Sequence, residues 1–92
     1  NGGRKFRLNA SVLALENPIM GISLTAELRI RWTLFDVTNN KEVFNEVISN
    51  DYTATMSDSI VAGQRLKIAN ENVVKDNIRI ALEKITGEEY QS

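Results

Sequence analysis

From Ile22 the chain alternates without a break. Ile22, Leu24, Ala26, Leu28, Ile30, Trp32 and Leu34 are apolar, and Ser23, Thr25, Glu27, Arg29, Arg31 and Thr33 between them are polar. A helix rarely sustains a period of two over such a length, so this segment predicts an antiparallel strand with one buried and one wet face. Upstream, Phe6, Leu8, Ala10, Val12 and Ala14 share one parity and predict a half-buried first strand. Between the two lies Glu16 to Gly21, with the only proline, which reads as a turn. Downstream, Asp36-Val37-Thr38-Asn39-Asn40-Lys41 is a hairpin turn, since asparagine tolerates left-handed backbone. A third strand follows, with Phe44, Ile48, Tyr52, Ala54 and Met56 on one parity and Val43 and Val47 on the other. That irregularity places a bulge near Val47-Ile48.

The period then changes. Ser57-Asp58-Ser59 offers side-chain oxygens that can cap a helix start, and Gly87 suits a left-handed C′ position at its end. The apolar side of this helix is Ala62, Leu66, Ala69, Val73, Val74, Ile78, Ile80, Ala81 and Ile85. Leu66, Ala69, Val73 and Ile78 are expected to face the sheet. Glu71 with Lys75, and Arg79 with Glu83, are spaced for ion pairs on the wet side. The helix measures ~40 Å at 1.5 Å per residue, close to the ~43 Å of a thirteen-residue strand, so the two can lie along each other. The fold class is therefore α+β: an antiparallel sheet of three main strands, in β-β-β-α order, with one long C-terminal helix on its apolar face. The strands span about 5–15, 22–35 and 42–56, the helix about 58–86, and 88–92 reads as a loose tail.

Length and composition narrow the function. Ninety-two residues form one domain, and the start at Asn1 without methionine reads as a mature or trimmed fragment of a longer chain. There is no cysteine and no histidine, which removes thiolate and histidine metal sites and the commonest general base. No phosphate loop, dinucleotide fingerprint or calcium loop is present. No catalytic, metal-binding or cofactor-binding residue is accordingly expected, and the chain is read as a non-enzyme.

Charge adds a weaker hint. The net charge is −1, yet residues 1–35 carry five bases against two acids. Lys5 and Arg7 share a parity on the first strand, and Arg29 and Arg31 lie on the wet face of the second. If these strands pair, the four residues form a cationic patch for an anionic ligand, surface or protein partner. No aromatic residue interleaves with them and the domain is slightly acidic, which argues against nucleic acid. In the helix, Asn70 and Asn77 fall within the apolar arc while Asn72 points to solvent. Asparagine is costly to bury unbonded, so Asn70 and Asn77 read as structural polar residues, at least half buried and hydrogen-bonded.

One resemblance goes further. Leu28-Arg29-Ile30-Arg31-Trp32-Thr33-Leu34-Phe35-Asp36, the Asn39-Asn40 hairpin and Thr53-Ala54-Thr55-Met56-Ser57 carry it, and above all Arg65, Ala69, Glu71, Val73, Asn77 and Ile78. This pattern resembles the C-terminal part of small Gram-negative periplasmic or outer-membrane lipoproteins of uncharacterised function. These are distantly similar to the lipopolysaccharide-assembly and transport-auxiliary lipoproteins. The resemblance implies a non-catalytic structural or assembly subunit, acting through protein–protein contacts in an envelope complex. It also implies a periplasmic location, with membrane attachment through a lipidated cysteine upstream of this sequence. The alternative is a small module that binds an anionic ligand through the basic sheet face.

Overall fold

The computed structural model describes residues 4–20 and 23–87. Gly21, Ile22 and the expected tail at 88–92 lie outside the described residues. The elements are β1 (Phe6–Glu16), a two-residue strand β2 (Ile19–Met20), β3 (Ser23–Asp36), β4 (Lys41–Ala54) and α1 (Ala62–Thr86). The sheet is antiparallel throughout. β3 is central, with β1 and β2 end to end along one side and β4 along the other. The three long strands and the helix make the α+β arrangement that the alternation predicts.

Alternation decides the faces of β3. Ala26, Leu28, Ile30, Trp32 and Leu34 are buried on the helix side, joined by Phe44, Ile48 and Ala54 of β4. From α1 come Ala69, Val73, Ala81 and Ile85. The buried row of the helix is Arg65, Ala69, Val73, Asn77, Ala81 and Ile85, spaced by four. Leu66 and Ile78, expected against the sheet, lie on a flank instead and are more than a third exposed. Asn72 is also displaced from expectation. It is half-buried, and its amide bonds back to the Ile68 carbonyl.

Three local readings are corrected. The helix starts at Ala62 rather than near residue 58, because Asp58 is used to close a turn. Its carboxylate accepts from the Thr55 N–H at 2.8 Å, and its own N–H bonds the Thr55 carbonyl. Val61 occupies the cap position without a side-chain bond. At the other end Gly87 has φ −89°, so the helix stops without a left-handed glycine. The extra residue of β4 sits at Val43, where the β3 register slips between Leu34 and Phe35, rather than at Val47. Of the expected ion pairs, Arg79 reaches Glu83 at 3.6 Å, while Glu71 lies 4.0 Å from Lys67.

The β3–β4 hairpin bears out the asparagine reading, since Asn40 has φ 57°. Its anchor is Asp36, whose side chain is fully buried. Asp36 accepts from the N–H and the amide of Asn39 and from Arg4 at 2.8 Å. The Asn39 amide, and then the Arg4 guanidinium, hold its carboxyl at about 2, against an ordinary 3.8. A carboxylate depressed in the fold stabilises above its unfolded pKa, and that stability is lost as pH falls through the folded value. The urea midpoint is therefore expected to fall between about pH 4 and pH 2. Asp36→Asn should flatten that segment of the profile.

Candidate association surface

A helix is ~10 Å across and strands are ~4.8 Å apart, so one helix covers about two strands. α1 packs on β3 and β4 and leaves β1 to one side. Two contacts fix which helix flank faces β1. The Asn17 amide, at the end of β1, donates to Asn70 Oδ1 at 2.8 Å. Lys84 on the opposite flank pairs with Glu46 of β4 at 3.5 Å. The row Leu66, Asn70, Val74, Ile78, Leu82 therefore borders the space above β1.

The floor of that space is apolar. Register places Leu8 opposite Leu34, Ala10 opposite Trp32 and Val12 opposite Ile30, all on the helix-side face. An extra residue at Leu13 then shifts the parity, so that Ala14 pairs with Arg29 on the outer face and Leu15 with Leu28 on the inner one. Ala14 was expected on the inner parity. The alternation could not show the shift, because Leu13, Ala14 and Leu15 are all apolar. Leu8, Val12 and Leu15 are exposed although they share a face with the core, and so is Ile19 beyond them. Leu66, Val74, Ile78 and Leu82 on the facing flank of α1 are each more than a third exposed, and with the β1 residues they border a trough. The first strand was expected half-buried. Only its inner-face parity survives, and these residues are the ones that reading by strand pattern missed. The available signal was arithmetic: three apolar strand faces and one helix to cover them.

A polar seam runs beneath α1. Asn77 is fully buried, and its Oδ1 accepts from Trp32 Nε1 at 2.7 Å. Its amide donates to the Ile48 carbonyl and to Asn50 Oδ1, and Asn50 donates to the Val73 carbonyl. Asn70 is half-buried and takes the Asn17 bond. Both asparagines are therefore structural, and only Asn70 borders the trough. Arg65, also on the buried row, donates from Nη1 to the Ser59 carbonyl at 2.8 Å, while its Nε makes no hydrogen bond. It ties the loop before α1 to the helix.

The outer face of the sheet carries the basic residues but does not gather them. Arg7 lies over the Phe35 ring at 5.1 Å, and Arg31 donates to Asn45 at 2.8 Å. Arg29 is opposite Ala14 and Ser49, two residues along β3 from Arg31. The backbone N–H of Lys5 bonds Thr38 Oγ1 at the hairpin end. Lys5, Arg7, Arg29 and Arg31 thus spread along the length of the strands, and Arg29 borders an open hollow that it shares with Glu16, Glu27 and Asp51. At the far end Glu16, Glu27 and Asp51 form a cross-strand acidic row. Among the described residues no cluster of acids is arranged to hold a metal, and no helix is long and apolar enough to cross a membrane. Comparison with protein-family models, curated proteins and solved structures found no match.

Proposed function

We propose that this chain is a non-catalytic association domain, a structural or assembly subunit that joins a larger complex through the trough above β1. The observation that carries the reading is an apolar strand face left uncovered on an otherwise well-packed sheet. A group of large apolar side chains exposed together on one face marks an interaction surface, and β1 also offers an open strand edge for pairing. The setting we propose is a bacterial envelope complex in the periplasm, tethered to the outer membrane by a lipid on sequence upstream. Support for that setting is the likeness of the Arg65–Ile78 pattern to small envelope lipoproteins.

Paired surface variants test this. Leu8→Lys with Val12→Lys places charge in the trough, and Arg29→Glu with Arg31→Glu reverses the outer face. With each chain tagged in its source cell, the trough variant should lose its co-purifying proteins while the outer-face variant keeps them. The opposite result would replace this reading with ligand or partner binding on the basic face.

A further inference from the structure

The charges of β1 sit only at its ends. Arg7 lies at the beginning, with Lys5 just before the strand, and Glu16 at the close, and every residue from Leu8 to Leu15 is uncharged. Such a strand is complementary to an antiparallel copy of itself. The other sheet edge is different. β4 carries Glu42, Glu46 and Asp51 along its length, and Lys84 of the helix reaches over to Glu46, which guards it against pairing.

We infer that the β1 edge pairs with β1 of a second copy about a two-fold axis through Ser11. The inference rests on the association reading above and names the partner at the strand edge. Antiparallel neighbours must share a face, and the bulge at Leu13 makes one long register satisfy that rule. Arg7 then stands opposite the partner's Glu16, Leu8 opposite the partner's Leu15, Asn9 opposite the partner's Ala14, and Ala10 opposite the partner's bulge. Inner-face residues meet inner-face residues along the whole overlap. Both ends bring a cation against an acid, with Lys5 in diagonal reach of the same carboxylate. The acidic row gains as well. Glu16 lies opposite Glu27, which lies opposite Asp51. Like charges placed so are mutually destabilising, and the structure gives them no ion pair within the chain among the described residues. Arg29 borders the same hollow as these acids, and the partner's Arg7 adds a second cation beside them.

The product is one continuous sheet with both helices on the same face. Four strand spacings separate their axes, about 19 Å. The two troughs merge into a single channel, floored by β1 of both copies and about one helix wide. The protein partner of the association reading would then dock between the helices.

Sedimentation equilibrium on the wild-type chain from micromolar to millimolar concentration is the test, with Arg7→Glu, Glu16→Arg and their equimolar mixture run beside it. Each single variant places two like-charged pairs across the axis and should dimerise on the order of tenfold more weakly. The mixture restores two opposite-charge pairs and should recover wild-type association as a heterodimer. Glu16→Arg leaves the Arg7–Phe35 contact untouched, so its loss cannot be blamed on that packing. A chain that remains monomeric at millimolar concentration overturns the pairing, and the co-purification test still decides the association reading separately. A dimer equally strong in both single variants places the contact elsewhere and also overturns it.

Discussion

Asn77→Ala is expected to destabilise the domain by about 3–5 kcal/mol, lowering the melting temperature by roughly 15–25 °C. One truncation removes the partner of two buried groups, Trp32 Nε1 and the Ile48 carbonyl, and of the half-buried Asn50 Oδ1. Each unsatisfied buried group costs ~1–3 kcal/mol, and the whole domain has only about 5–14 kcal/mol in hand. Asn70→Ala is the control. Asn70 is half-buried with a single side-chain bond to exposed Asn17, so its loss should cost less than about 1 kcal/mol. Thermal melts of both variants check this. Adding Trp32→Phe should cost distinctly less in the Asn77→Ala background than in wild type, because the bond is already gone.

Val12 and Ile30 give the second contrast. They are cross-strand neighbours on the same face of the sheet, yet Val12 is 65% exposed and Ile30 5%. Ile30→Asp buries an unpaired carboxylate under α1 and should cost more than about 4 kcal/mol, enough to abolish a cooperative transition at 37 °C. Val12→Asp should cost about 1 kcal/mol or less, as charge on an edge strand does. Both are measured by urea unfolding, repeated at two protein concentrations so that any contribution from self-association shows as a shift between them. A similar loss in the two variants would mean that β1 is covered in the free chain.

That contrast also shows how far the sequence could be read. Parity along β3 is uninterrupted from Leu24 to Leu34, and it identified a long strand, its buried face and the place of Trp32. Asn77 was legible too, since a polar amide inside an apolar helical arc must find partners. What parity cannot state is whether a face has a lid. Leu8 and Val12 alternate as cleanly as Leu28 and Ile30, and the difference arises from the width of one helix over three strands. Arg65 was hidden because hydropathy assigns arginine to the wet side, whereas its guanidinium is used on the Ser59 carbonyl. Asp36 read as a turn residue, and its partner Arg4 lies 32 positions away, beyond any local pattern. The basic residues were placed on the correct face by parity. Their spread along it required the register.

The central claim is that the trough above β1 is an association surface. A photo-crosslinking side chain at Val12 or at Ile78, compared with the same group at Lys75 on the solvent side of α1 and at Asn45 on the outer sheet face, tests it most directly in the living source cell. Protein adducts at Val12 and Ile78, with little at Lys75 or Asn45, are the expected result. Adducts at Asn45 alone, or none at the two trough positions, would contradict it.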